Sequence, residues 1–353
     1  MTIDKLTNEA TELLKQLISI ESFSGTEDKT ADCLQKFFEK HNVVPFRKGN
    51  NIWAKNNDFD SKKPTILLNS HHDTVKPNAR WTLNPFQPII KDDKLFGLGS
   101  NDAGGALVSL IATFLNFNSK KNLNYNLIVA ATAEEENSGN GGVEMIKAEI
   151  GKIDFAIVGE PTEMKMAIAE KGLIVIDCTS KGIAGHAARD VGENAILKSI
   201  KEIEWFHSYK FPKISEELGP IKMSCTIINA GSQHNVIPDI CKFTIDVRTT
   251  DVYSNEEVVE IIRKNVKCDI APRSTRLQSS GIGKNHFLYQ SALKLGIPTF
   301  GSATTSDMAL WKSPAIKMGP GKSERSHTAD EFIWLQEINE GIEIYIRLLE
   351  QII

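Results

Sequence analysis

Two adjacent histidines and an aspartate, His71, His72 and Asp73, close a short apolar run, Ile66 to Leu68, fenced by Pro64 and Pro77. Other apolar runs end alike. One reaches Glu134, Glu135 and Glu136, a second reaches Glu160, and a third leads through a polar loop to His327. Asp102 joins them from a glycine-rich turn just ahead of a helix-like stretch. Imidazoles and carboxylates together are donors suited to zinc, cobalt or manganese. With Asp102 as a bridge, five such residues suffice for two ions about 3.5 Å apart. Glu135 and Glu136 are neighbours, so one can hold an ion while the other faces the water to be activated. On extended backbone His71 and Asp73 point one way and His72 the other, and such a His-x-Asp pair lets a carboxylate take the imidazole's second N–H.

Each feature alone has an ordinary reading. A glutamate run is usually a solvated turn, and a lone histidine at a strand end is usually satisfied by its neighbours. Asp102 could simply cap a helix. The glycines Gly97 and Gly99 suggest a phosphate loop, but Asp102 stands where that pattern needs its third glycine, and a carboxylate there would repel a pyrophosphate. A nicotinamide dehydrogenase is disfavoured accordingly.

The elements that must position these residues alternate through the first half of the chain. The patterning predicts helices near 4–19 and 104–117 and strands near 65–69, 127–132 and 154–159. Continuous apolar strands of this kind belong to a mainly parallel sheet covered by helices, where ligands gather at the strands' carboxyl ends. From Lys171 strands alternate apolar and polar residues, with helices near 192–208 and 254–266; Ser254 and Glu257 form a capping box. That strand–helix–strand–strand–helix–strand order predicts a small α+β, ferredoxin-like domain. The α/β texture returns after about 285. The expected fold is therefore a catalytic domain, 1–170 and 286–353, with a lid or dimerisation domain, 171–285, inserted into it.

The 353 residues carry a net charge of -4 with mixed signs, which offers no basic stripe for nucleic acid. No apolar run approaches the ~20 residues of a membrane span. The first twenty residues read as an amphipathic helix without the basic start of a signal peptide. Cys33, Cys178, Cys225, Cys241 and Cys268 are scattered, the pattern of reduced thiols in a cytoplasmic protein.

Taken in order, the motifs resemble the acetylornithine deacetylase and succinyl-diaminopimelate desuccinylase family of two-zinc amidohydrolases, which also includes aminoacylases and glutamate carboxypeptidases. The family's G-H-x-D-x-V-P is similar to Ser70 through Pro77, its G-R-G-x-x-D-x-K-G-G to Gly97 through Gly105, its T-x-D-E-E to Thr132 through Glu136, and its G-E-P-T to Gly159 through Thr162. Its late G-P-G and A-H-T are similar to Gly319 through Gly321 and Ser326 through Thr328. Departures fall at Ser70, Leu98, Gly104 and Glu134, none a proposed ligand.

The resemblance implies a zinc-peptidase-like catalytic domain with two divalent ions, zinc before cobalt or manganese. One would be held by His71, Asp102 and Glu160, the other by Asp102, Glu136 and His327, with Asp73 orienting His71 and Glu135 as general base. It further implies a homodimer in which His186 reaches the partner's site as an oxyanion donor. Asn235 and Arg248 would hold a substrate carboxylate, and Thr304, Thr305 and Ser306 would line the substrate loop. The reaction expected is hydrolysis of an N-acyl amino acid, foremost N-acetylornithine in arginine biosynthesis. N-acetylcitrulline, an N-succinyl amino acid or a dipeptide are the alternatives, and a non-catalytic binder of acylated amino acids is the reading from another class. His72, Arg273 and Arg276 receive no role.

Overall fold

The computed structural model describes residues 1–189 and 191–352. The chain forms two compact units, one of residues 1–168, 281–300 and 306–353, the other of 169–280 and 301–305.

In the first unit the apolar runs become adjacent strands. Asn126–Thr132, Thr65–His71, Phe155–Val158 and Ala315–Lys317 lie side by side and parallel. Thr65–His71 is buried along its whole length, as a strand covered on both faces must be. These central strands are parallel, as expected from sequence, and antiparallel strands extend the sheet on both sides. Pro45–Lys48 and Asn51–Lys55 form a hairpin whose second strand pairs antiparallel with Asn126–Thr132. At the other side Met166–Glu170 meets Ala315–Lys317 antiparallel. A two-residue connection such as Gly49-Asn50 can only reverse the chain; parallel neighbours need a crossover.

Helix Gly105–Asn118 is buried on almost every side, so it is a core helix. It packs with Ile3–Ile18, which buries Leu6, Ala10, Leu13, Leu14 and Leu17, and with Leu335–Glu350. Fully buried side chains such as Phe114 and Tyr345 anchor this core, each contributing about 1.5–3 kcal/mol through burial. Helix Asp28–Lys40, which the sequence reading left out, buries Leu34, Phe37 and Phe38.

The second unit has a four-stranded antiparallel sheet in the order Lys222–Ala230, Ile240–Thr249, Gly172–Lys181, Asp269–Pro272. In chain order this is 2-3-1-4, the ferredoxin-like arrangement. Gly172–Lys181 alternates buried and half-buried residues. Helices Ala195–Ser208 and Asn255–Asn265 share a core with the sheet around Ile176, Phe206, Phe243, Ile245, Val258 and Ile262. The Ser254–Glu257 capping box forms as predicted. Its limits differ from the expected 171–285. Ile282 is already buried in the first unit's core, whereas Thr305 donates to Lys171 O (2.8 Å) and tethers 301–305 to the second.

Candidate metal centre

Register brings the chemistry together. His71 pairs with Thr132 and Asn69 with Val158, so three parallel strands end at one level. Just beyond them stand His71, the Glu134–Glu136 loop and Glu160. The turn at Gly319 follows strand Ala315–Lys317; a side chain there would meet Glu160 O at 2.5 Å, which explains why that loop needs glycine.

His71 is buried and its Nδ1 lies 3.0 Å from Asp73 O. A carbonyl only accepts, so Nδ1 carries the proton and Nε2 presents its lone pair. That Nε2 is buried without a hydrogen-bond partner. It faces Asp102 Oδ1 at 3.5 Å and Glu160 Oε1 at 3.9 Å. The other oxygen of Asp102, Oδ2, lies 3.6 Å from His327 Nε2, which also meets Glu136 at 3.0 and 3.2 Å. Asp102 thus stands between the two histidines. Donor atoms of His71, Asp102 and Glu136 lie within 4.8 Å of one another, and so do those of His71, Glu135 and Glu160.

Asp73 does more than touch His71. Its carboxylate, 3.3 Å from His71 Nδ1, accepts from Glu135 N and Glu136 N (both 3.1 Å) and from Ser24 Oγ (2.7 Å). It fixes the backbone of both glutamates.

The electrostatics are those of a site short of positive charge. Burial and the charge of Glu160 raise Glu135 well above the ordinary glutamate range. Burial likewise pushes Glu160 up to about 8. His71 is raised against its own burial by Asp102 and Asp73. The hydrogen bond to Glu136 lifts His327 to about 9. Burial would raise Asp102, yet His71 holds it below the usual carboxylate range. Protons held in this way are those a divalent cation displaces on binding. With an orphaned imidazole nitrogen and four converging carboxylates, the donor set fits such ions.

His72 turns away, as its place on the strand predicts. It is buried between Thr30 Oγ1 and Asn50 O, both 2.9 Å away, and burial depresses it to about 4. It is a neutral structural histidine. Two acids escaped the sequence reading. Asp307 is buried, accepts from Thr132 Oγ1 (2.6 Å) and adds to the repulsion that raises Glu135. Glu331, pushed to about 8 by burial and Asp102, underlies the Asp102 turn. Their only signal was membership of the "TTSDMA" and "SHTADE" segments.

The remaining candidates belong largely to the second unit. His186 is exposed on a short strand paired with Val236–Ile237, and its neighbour Ala187 donates to Asn235 O (2.9 Å), so His186 and Asn235 stand close. Arg248 is held by Asp246 through Nε (2.8 Å) and Nη2 (3.0 Å), leaving Nη1 3.4 Å from Thr305 Oγ1. Thr304 bonds Ser302. Ser306, in the first unit, is 5 % exposed and caps the turn at Met308. Arg273 forms a two-pronged surface pair with Asp177.

A histidine–carboxylate cluster at the carboxyl ends of parallel strands, built around the buried His71 and with a spare glutamate beside it, is the arrangement of a metal-dependent hydrolase. The chain belongs to peptidase family M20/M25/M40, whose family model matches residues 67–351. It is 28 % identical to a LysW-lysine/LysW-ornithine hydrolase of Sulfurisphaera tokodaii, over 97 % of this chain and 95 % of that one. It is 26 % identical to a succinyl-diaminopimelate desuccinylase of Pelagibacter ubique (89 % and 88 % covered) and 25 % to an acetylornithine deacetylase of Buchnera aphidicola (96 % of each). Among solved structures, a Staphylococcus aureus tripeptidase matches with TM-score 0.79 at 19 % identity, covering 98 % of both chains. A dinuclear metal-binding M20 peptidase of Bacillus subtilis matches at 0.74 and 15 %, again over 98 % of each. Among the described residues no helix is long and apolar enough to cross a membrane.

Proposed function

We propose that this protein hydrolyses the amide of an N-acyl amino acid, with N-acetylornithine, an intermediate of arginine biosynthesis, as first candidate. The observation that carries the reading is the placement of Glu135, whose carboxylate has a donor atom within 4.8 Å of those of His71 and Glu160 and is raised in pKa there by burial and by Glu160. His71, Asp102 and Glu160 would hold one divalent ion, and Asp102, Glu136 and His327 a second. Two zinc ions there would supply Lewis acidity and lower the pKa of a bound water to ~7. Glu135 takes the water's proton and passes it to the departing amine, which needs a carboxyl whose pKa lies near the working pH. Asp73, through the N–H groups of Glu135 and Glu136, keeps base and ligand in fixed relation.

The second unit would act as lid and dimerisation domain. Its edge strand Lys222–Ala230 is exposed over its last six residues, with Ile227 and Ile228 half exposed, and an unprotected apolar edge invites pairing with a second copy. His186 from that copy would donate to the tetrahedral oxyanion. Arg248 would offer its Nη1 edge, with Asn235, to the substrate carboxylate, and Thr304, Thr305 and Ser306 would line the substrate loop. All five cysteines are free thiols, which supports a cytoplasmic setting.

The competing reading is release of lysine or ornithine from a LysW conjugate, as the name of the Sulfurisphaera tokodaii relative suggests. The test is amine release by zinc-loaded protein from N-acetylornithine, N-acetylcitrulline, N-succinyl-diaminopimelate and a dipeptide, with Glu135→Ala as control. A strong preference for the first, lost in the control, supports the proposal; a preference for another names a different deacylase, and no release from any returns the non-catalytic binder.

A further inference from the structure

We propose that Glu331 is a positioning residue for the metal centre, a buried clamp that holds the Gly99–Asp102 turn so that Asp102 stands between His71 and His327. The assignment rests on the metal reading above. Glu331 is 2 % exposed. Its Oε2 accepts from Gly99 N (3.1 Å), and its Oε1 accepts from Asn101 N (2.8 Å) and Asp102 N (2.9 Å). Its own backbone oxygen accepts from Gly97 N (3.0 Å). Three N–H groups of the turn, those of Gly99, Asn101 and Asp102, therefore converge on one side chain. Only a carboxylate can serve here: both its oxygens accept, whereas a carboxamide would turn an NH2 group toward a backbone N–H.

A carboxylate so buried is held there only because backbone donors replace the water it has lost. Glu331 is placed four residues after His327, so one short segment supplies both a ligand and the clamp on the ligand facing it, His327 Nε2 to Asp102 Oδ2 being 3.6 Å. The loop of Glu135 and Glu136 is hung in the same way on Asp73. Asp330, next in the chain, is a built-in control. Its carboxylate accepts from Thr82 N, Leu83 N (both 2.9 Å) and Thr82 Oγ1 (2.5 Å), a latch onto a loop that carries no ligand.

The test is zinc binding by chelator competition, with the visible spectrum of the cobalt-loaded protein as a second readout. Wild type should take up two zinc ions per chain. Glu331→Gln should weaken at least one of them by about 10- to 100-fold, the usual cost of losing a group that orients a metal ligand, and should alter the cobalt spectrum. Asp330→Asn should lower the melting temperature yet leave zinc affinity within about threefold and the spectrum unchanged. If Glu331→Gln does not fold, Glu331→Asp keeps the charge but falls one methylene short, and it should weaken zinc in the same direction. Wild-type affinity and spectrum in the folded Glu331 variant, or an equal zinc loss in Asp330→Asn, overturns the assignment. A wild-type chain that takes up no zinc overturns the metal reading and the assignment with it, an outcome distinct from two ions bound and Glu331 irrelevant.

Discussion

Glu135 is surrounded by charges of its own sign from Glu160, Asp307 and Glu136, and its backbone is pinned by Asp73. A group so placed trades protons readily and moves little. Replacing it by glutamine keeps the shape and removes the proton acceptor, so kcat should fall by about 100- to 10,000-fold while zinc stoichiometry, measured by atomic emission, stays at the wild-type value. A zinc loss of one ion per chain would instead make Glu135 a ligand. Away from the site, His286 caps helix Phe287–Leu295, its Nδ1 accepting from Leu288 N (3.3 Å) while the ring packs on Phe287. Burial lowers its pKa below the ordinary histidine value. The native state thus prefers the neutral ring, and the unfolded chain takes up the proton first as pH falls. The cap's contribution, about 1 kcal/mol, is complete above pH ~6.5 and is lost as pH drops below it. Urea denaturation at pH 7.5 and 5 should show a smaller acid loss in His286→Asn, which caps without titrating; equal losses would dismiss the cap.

At the scale of elements, the parts with a strong local signal were readable. Helix Asn255–Asn265 begins where Ser254 and Glu257 cap each other, because a capping box is written in four consecutive residues. Ser254→Ala should destabilise the protein by about 1 kcal/mol, visible as a lower urea midpoint; no shift would mean that packing alone sets the helix start. Strand Thr65–His71 was legible from three apolar residues between prolines. Strands such as Pro45–Lys48, half-buried to exposed, carry too little pattern to betray themselves. The antiparallel additions to the first sheet were hidden because Asn51–Lys55 and Met166–Glu170 pair with strands far off in sequence.

For the whole molecule, the proposed dimer gives a prediction about the second unit. Ile228→Asp places a charge on the exposed edge strand, and light scattering should show monomers where wild type shows dimers, with amide hydrolysis lost in parallel if His186 acts in trans. Full activity in a monomer would remove His186 from the mechanism. The candidate ligand types and their order along the chain came from the sequence alone, because each sits beside an apolar run whose burial is a local matter of composition and period. Tertiary structure decided the rest. Glu331 meets Asp102 across 229 residues and Asp307 meets Thr132 across 175, and with 45 acidic residues in the chain no local pattern singles these out. Nor does local pattern say that Arg273 is taken by Asp177 or that His72 is locked between Thr30 and Asn50. Hydrophobic burial is fixed by near neighbours and periodicity, whereas a buried charge is fixed by whichever distant group the completed fold brings to it.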